Sequence, residues 1–214
     1  MDFPPEPWHL RGQMYVSLWS LPRRELPPLP PGLAGMVRPV VVGGRGVVGT
    51  AWVRYEPGGV LHYRELLAAV LVRAGLRPRI SIVQIWVDSE TSRVGGRELW
   101  GIPKELAELA IEPDDNGGIS GSAATPTGPI ARARVTPGPG LPGRWPVAFT
   151  VAQLLAARLR TTPVRCRARI GGASSTWQVE PGGPLGYLAG RRPLLTLAVR
   201  DFRLVFGSAD PHHG

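Results

Sequence analysis

Short runs of apolar or alternating residues fill most of the chain and are separated by turns rich in Gly, Pro, Asp and Asn. Such runs are typical of β-strands, and the strands do not alternate regularly with long helices. The pattern predicts a mainly β fold, with α+β at the margin: an antiparallel closed β-barrel or sandwich carrying a few short helices. The predicted strands cover residues 14–21, 39–42, 47–55, 79–88, 106–111, 118–123, 130–135, 147–152, 164–170, 176–180 and 194–206.

The apolar run at 66–72 is continuous, so its periodicity leaves both helix and strand open. If it is a strand, Tyr63 and Glu65 share one face, because side chains alternate along a strand. A phenol and a carboxylate would then lie together near the start of a buried element. The segment at 152–160 is also open to either a strand or a short helix.

A short helix is predicted after the strand at 79–88. Asp88 or Ser89 can cap its first turn, and the pair Gly95-Gly96 can end it.

Pro103 favours an extended conformation for the residue before it and lacks an N–H, so Lys104 is expected to begin a strand. An inward Lys104 would place Glu105 on the opposite face. Apolar neighbours would disfavour the ammonium form and so lower the pKa of the Lys104 amine.

The chain of 214 residues and 23.0 kDa, with 43% hydrophobic residues, can bury a sizeable core. We expect a single domain over 1–214, with irregular arms at 1–13 and 208–214. Because Cys166 is the only cysteine, the chain cannot form an intrachain disulfide, and this fits a reducing compartment. The chain has no signal-peptide pattern and no apolar run long enough to span a bilayer, so we expect a cytoplasmic protein without membrane contacts.

The formal net charge of +9 raises the question of nucleic-acid binding. The arginines are spread along the chain, however, and Arg165, Arg167 and Arg169 alternate with apolar neighbours, as on the solvated outer face of a sheet. We therefore expect no nucleic-acid partner. A positive field would also attract an acidic small molecule.

Lys104 is the only lysine among the 25 basic residues. Arginine stays protonated at any reachable pH, whereas a lysine amine can lose its proton and attack a carbonyl to form an imine. The isolated lysine therefore indicates a candidate nucleophile. The alternative is a compositional bias against lysine that left one residue by chance.

The segment from Gly96 to Ala107 reads G-R-E-L-W-G-I-P-K-E-L-A and resembles the G-R-E-x-x-[GA]-[YFI]-P-K-K-L signature of the acetoacetate decarboxylase superfamily. Tyr63-Arg64-Glu65 is similar to the Y-x-E segment of that family, and residues 202–209 resemble its closing strand.

The resemblance implies a mainly antiparallel barrel with a Schiff-base lysine at Lys104 and an organising glutamate at Glu65. It implies an enzyme without a cofactor or metal that acts on a small oxo acid by decarboxylation or aldol-dehydration, and that assembles as a homo-oligomer. Tyr63, Trp100 and Arg97 are the candidate substrate-binding residues. Two roles stay open for Trp100, lining the pocket or only packing. Two also stay open for Arg97, a role at the site or an ion pair with the adjacent Glu98.

Two positions depart from the family pattern. Glu105 replaces the second lysine, and Ser20 stands at the position closest to an arginine that binds the substrate carboxylate, with Arg23 and Arg24 displaced beyond Pro22. These departures keep open an alternative function, a non-catalytic barrel that binds a small hydrophobic or acidic ligand.

Overall fold

The computed structural model describes residues 2–115 and 117–209. Its one α-helix within this part of the chain is α1 (Glu90–Trp100), and single 3-10 turns occur at Arg23–Glu25 and Gly186–Leu188. The strands are β1 (Trp8–Pro22), β2 (Arg38–Pro39), β3 (Val41–Val42), β4 (Arg45–Tyr55), β5 (Tyr63–Ala74), β6 (Arg77–Val87), β7 (Lys104–Leu106), β8 (Glu108–Pro113), β9 (Ile119–Thr125), β10 (Gly128–Gly140), β11 (Trp145–Leu155), β12 (Arg158–Val179) and β13 (Leu195–Phe206).

The strands form one hydrogen-bonded sheet, in the order β11-β6-β5-β4-β1-β13-β12-β10-β9-β8. Because β11 also pairs with β12, the seven strands from β11 to β12 form a continuous ring. The mainly β fold predicted from the sequence is confirmed. The sheet is mixed rather than wholly antiparallel, since β6 runs parallel to both β11 and β7.

The long strand β12 belongs to the ring and also to an extension formed by β10, β9 and β8. It joins the two strands predicted at 164–170 and 176–180, because Gly171 and Gly172 between them keep pairing with β13. One apolar cluster lies inside the ring, and a second packs the outer face of β4 and β5 against the extension. A third cluster gathers around Trp19 and Leu33.

Alternation along β4 and β5 assigns their side chains to these clusters. Ala51 and Val53 point into the ring, whereas Trp52 between them packs against the extension. On β5, Ala69 faces inward and Leu66 outward. Both faces of β5 are covered, so its sequence shows a continuous apolar run rather than an alternating one. The strand alternative for this segment is confirmed.

The first strand begins at Trp8, so the irregular arm predicted for 1–13 is wrong from Trp8 onward. Trp8 and Leu10 are buried and alternate with exposed His9 and Arg11. The predicted irregular arm covers 208–214. Its part from position 210, which includes His212 and His213, lies outside the described residues.

The segment at 152–160 is a hairpin rather than a helix. β11 and β12 pair up to Leu155 and Arg158, and the two residues between them, Ala156 and Ala157, have φ of 48° and 60°. Two-residue hairpin turns with positive φ usually carry Asn or Gly. An Ala-Ala turn gives no such signal in the sequence.

Helix α1 begins as predicted, with the Ser89 side chain accepting a hydrogen bond from the Ser92 N–H. The predicted stop at Gly95-Gly96 is wrong: both glycines lie inside the helix, which ends at Gly101 with φ 66°. Within residues 2–115 and 117–209, no helix has the length and apolar character needed to cross a membrane.

Candidate active site

The ring encloses a cavity of about 390 Å³. Most of its wall is aliphatic or aromatic. The polar residues of the wall are Thr50, Tyr55, Tyr63, Glu65 and Lys104. A largely apolar pocket with a few convergent polar groups is the usual form of a small-molecule site.

Lys104 reaches this cavity from the first position of β7. The strand pairs in parallel with β6, with Lys104 opposite Ile85, and Lys104 is 4% exposed. The Arg97 guanidinium on α1 donates from Nε to the backbone oxygen of Lys104 at 2.6 Å. The predicted strand start after Pro103 is confirmed, and the side chain points inward.

The Lys104 amine is fully hydrogen bonded. Nζ donates to Glu65 Oε2 at 3.0 Å, to Ser92 Oγ at 2.9 Å and to the Tyr63 hydroxyl at 3.1 Å. An ammonium group has three N–H donors. The contacts therefore account for the full donor capacity of the protonated amine.

Glu65 accepts hydrogen bonds on both carboxylate oxygens. Besides Lys104, the Tyr55 hydroxyl donates to Oε1 at 3.3 Å, and the Tyr63 hydroxyl lies 3.5 Å from Oε2. Tyr55 and Tyr63 are directly opposite each other on β4 and β5, with ring centroids 4.4 Å apart. The two phenols hold the carboxylate beside the amine.

Burial lowers the pKa of Lys104, but the Glu65 carboxylate and the Tyr63 hydroxyl raise it, and the net shift is upward from 10.5. Burial raises the pKa of Tyr63 to about 12 against the opposing charge of Lys104. Burial and the Glu65 carboxylate raise the pKa of Tyr55 well above 10.0. At neutral pH the site therefore holds Lys104 as an ammonium and both phenols in the neutral form. The expectation that burial would leave Lys104 with a lowered pKa is corrected, because the Glu65 carboxylate and the Tyr63 hydroxyl together outweigh desolvation.

One face of α1 packs against the lysine. Ser92, Gly96 and Trp100 follow each other at four-residue intervals and are buried. A Cβ on Gly96 would lie 2.8 Å from Lys104 Cδ, so glycine leaves room for the lysine stem. Trp8 completes the enclosure, with its ring centroid 5.9 Å from Lys104 Nζ and 4.8 Å from the Trp100 ring.

The structure brings four of the five predicted site residues together at the cavity: Lys104, Glu65, Tyr63 and Trp100. Trp100 both packs and lines the wall. Arg97 does not line the cavity, because its guanidinium binds the backbone of Lys104 and the carboxylate of Glu105.

The predicted Arg97–Glu98 ion pair is wrong, since Glu105 is the carboxylate partner of Arg97. The Glu105 side chain points away from the cavity and is 61% exposed. Ser20 also lies outside the cavity wall, where its hydroxyl accepts from Arg45 Nε at 2.7 Å. Among the described residues, no arginine lines the cavity.

Sequence reasoning missed Ser92, Tyr55 and Trp8. Ser92 and Gly96 are four residues apart on a predicted helix, and this spacing could have marked a small-residue face toward the lysine. Tyr55 could have been found only through the β4–β5 register. In the described ranges, 2–115 and 117–209, no group of three or more His, Cys, Asp or Glu residues could hold a metal ion.

The fold and site together define a β-rich protein with an enclosed lysine–carboxylate centre in an apolar cavity. The family model described as acetoacetate decarboxylase (ADC) matches residues 29–170. The chain belongs to this family. None of the curated proteins matches the sequence.

Solved structures share the fold at low sequence identity. An acetoacetate decarboxylase from Legionella pneumophila subsp. pneumophila str. Philadelphia 1 is 16% identical with a TM-score of 0.68, over 96% of this chain and 86% of that chain. The enduracididine biosynthesis enzyme MppR complexed with pyruvate is 20% identical with a TM-score of 0.66, over 96% and 90%. An acetoacetate decarboxylase-like enzyme from Sphingomonas wittichii RW1 is 14% identical with a TM-score of 0.61, over 94% and 91%.

Proposed function

We propose that the protein is a carbon–carbon lyase that uses Lys104 to form an imine with a small oxo acid. The observation that carries the proposal is the Lys104 amine, buried in an apolar cavity and hydrogen bonded to a carboxylate 3.0 Å away. A nucleophile held within hydrogen-bond reach of a base is the arrangement that activates a weak nucleophile. Membership of the acetoacetate decarboxylase family supports the same reaction class.

Imine formation begins with a proton transfer, since the resting amine is charged. Lys104 passes a proton to Glu65, the neutral amine attacks the ketone carbon, and a proton moves from the nitrogen to the oxygen to give a carbinolamine. Glu65 returns the proton it received to the departing oxygen, which leaves as water and gives a protonated imine. The net charge of the site is unchanged, so Glu65 serves as base and then as acid.

The protonated imine then accepts an electron pair. In a decarboxylation, the bond to the carboxylate carbon breaks, carbon dioxide leaves, and the pair enters the imine to form an enamine. The enamine carbon takes a proton, and water hydrolyses the resulting imine to release product and the free lysine. In an aldol-dehydration, Glu65 removes a proton beside the imine, the resulting enamine adds to an aldehyde, and the aldehyde oxygen takes the proton that Glu65 holds. Loss of this hydroxyl with a neighbouring proton as water leaves an unsaturated imine, and a second water hydrolyses it to release the product and the free lysine.

The neutral phenols of Tyr55 and Tyr63 support either reaction by donating to Glu65 and so orienting its carboxylate. The structural neighbour MppR has been crystallised with pyruvate, as a 2-oxo acid complex. Both 2-oxo and 3-oxo acids are therefore candidate substrates.

Borohydride trapping tests the proposal. The protein is incubated with acetoacetate or pyruvate, reduced, and analysed by intact mass and peptide mapping. The expected result is a substrate-sized adduct on Lys104, absent from Lys104→Met and Lys104→Arg. The N-terminal amine is the remaining site for an imine, because the chain has no second lysine. Absence of an adduct on Lys104 with every oxo acid overturns the proposal.

A second candidate is a non-catalytic ligand-binding protein. The upward shift of the Lys104 pKa favours it, since the amine is then held as an ammonium. This candidate predicts that apolar ligands raise the melting temperature of wild type and Lys104→Met alike, with no turnover of any oxo acid.

The homo-oligomer, the cytoplasmic location and the lack of a nucleic-acid partner remain predictions. Light scattering measures the oligomeric state, and fractionation of cells tests the location. Binding to mixed DNA and RNA at several salt concentrations tests for a nucleic-acid partner.

A further inference from the structure

We infer that the substrate carries an apolar chain several carbons long, which lies along the inside of the ring beyond Lys104. This inference rests on the proposed function and specifies the substrate class of the same site. A substituent of only two or three carbons on the carbonyl carbon would leave most of the cavity unfilled.

The cavity extends far past the lysine along the strands. Its wall follows β5 from Glu65 to Leu71 and β4 from Tyr55 to Val47. Leu71 lies six positions beyond Glu65, which corresponds to about 20 Å along a strand. The polar group that binds the carbonyl therefore sits at one end of a long chamber.

The wall beyond the lysine is apolar on several strands at once. Its side chains include Val16, Leu18, Val47, Leu67, Leu71 and Ile80. These six are only partly covered by protein, unlike the fully packed residues of the outer clusters. Apolar surface that the protein does not cover itself is typical of a ligand-binding wall.

This part of the wall has no side chain that could pair with a second charge or with a polar tail of the substrate. Thr50 is the polar residue of this part of the wall, but its side chain alternates with that of the inward Ala51 and points out of the ring, where its hydroxyl accepts from Trp19 Nε1 at 2.9 Å. Within the described residues, no arginine lines the cavity and Lys104 is its one cationic side chain. A polar tail would lose hydration without gaining partners, at a large cost in affinity.

Gly49 provides a place to shorten the chamber. It lies on β4 between Leu18 of β1 and Ala69 of β5, and a Cβ there would meet only Leu18 Cδ2, at 3.6 Å. That distance is an ordinary van der Waals contact, and the φ of Gly49 is not in the left-handed region. A larger side chain at this position can therefore enter the cavity without backbone strain.

The test is a chain-length series of 3-oxo acids: acetoacetate, 3-oxohexanoate, 3-oxooctanoate and 3-oxodecanoate. Each added CH2 that is buried is expected to raise kcat/KM by roughly threefold to fourfold until the chamber is full. In Gly49→Phe the ratio of kcat/KM for 3-oxodecanoate to that for acetoacetate is expected to fall by at least tenfold. The matched control is Leu76→Phe, at an exposed turn position, which keeps the wild-type ratio. A flat or falling series in wild type overturns the inference.

A binding series separates this inference from the proposed function. If borohydride traps no oxo acid, the proposed imine chemistry is wrong. Calorimetry with 2-butanone, 2-heptanone and 2-nonanone then tests, independently of catalysis, whether the chamber binds an apolar chain. The apolar chamber is supported if Kd decreases with each added CH2 in wild type and in Leu76→Phe, and if this decrease is smaller in Gly49→Phe. A Kd independent of chain length overturns it.

Discussion

Lys104 Nζ and Glu65 Oε2 lie 3.0 Å apart, and their side chains are only 5% and 4% exposed. Removing one member leaves the other as an uncompensated buried charge, which typically costs about 3–5 kcal/mol, whereas an apolar replacement of both is often neutral. Urea unfolding of Lys104→Met and of Glu65→Leu is expected to show losses in that range. The double variant is expected to recover most of the loss.

Additive losses in the double variant would contradict this coupling. The control is Arg64→Ala with Asp88→Ala, a more exposed ion pair next to Glu65. Its coupling should stay below about 1 kcal/mol, since exposed pairs contribute little.

The charge of Lys104 can be measured directly, because it is the only lysine of the chain. Labelling with 15N-lysine gives one Nζ signal. In wild type we expect an ammonium with a pKa above 10.5, since Glu65 and Tyr63 outweigh burial. In Glu65→Gln the main opposing charge is gone, so burial should bring the pKa below 10.5. An unchanged titration in Glu65→Gln would show that the carboxylate does not set the charge of the amine.

Ser92 is the third acceptor of the lysine and the one that sequence reasoning missed. Its Oγ lies 2.9 Å from Lys104 Nζ. We expect Ser92→Ala to cost about 1 kcal/mol of stability, the usual contribution of a hydrogen bond, and to slow the rate of borohydride trapping at saturating oxo acid by about tenfold, because the amine loses a contact that holds it in position for attack. Ser92→Thr should restore the rate, and Ser120→Ala, at an exposed position, should leave it unchanged. Equal rates in all variants would remove Ser92 from the site.

The contrast between Glu65 and Ser92 shows what the sequence could predict. Lys104, Tyr63 and Glu65 lie in short motifs: alternation puts Tyr63 and Glu65 on one face once their segment is a strand, and Pro103 predicts the strand start at Lys104. Ser92 and Tyr55 join the site through contacts between elements, and local pattern does not encode those contacts. The Ala156-Ala157 turn carries none of the usual turn residues, and the start of β1 is hidden by Gly12 in the strand interior, which weakens the local strand pattern. The charge of Lys104 depends on the balance of burial against a carboxylate, which only the distances settle.

Glu105 occupies the position of the second lysine in the family pattern, yet it points away from the cavity and binds Arg97. Its charge is therefore separated from the amine by the β7 backbone and screened by solvent. Glu105→Gln is expected to change the rate of Lys104 trapping by less than about twofold and stability by less than about 1 kcal/mol. A shift of the 15N-lysine titration in this variant would show that Glu105 does influence the amine.

Cys166 provides a pH-dependent test of the packing inside the ring. The side chain points inward from β12 and is 7% exposed, and burial raises the pKa of its thiol from 9.0 to about 11. Between these values the unfolded chain loses the thiol proton while the folded chain keeps it, so rising pH favours unfolding by up to about 2–3 kcal/mol. Urea unfolding at pH 8 and pH 10.5 should therefore show a larger loss of stability in wild type than in Cys166→Ala, which lacks the titrating group. Alkylation by iodoacetamide at pH 8 should be slow in the folded protein and fast in urea, because the thiolate is the reactive form. Equal pH dependence in the two proteins, with fast alkylation of the folded chain, would mean that water reaches the thiol and that this part of the ring opens.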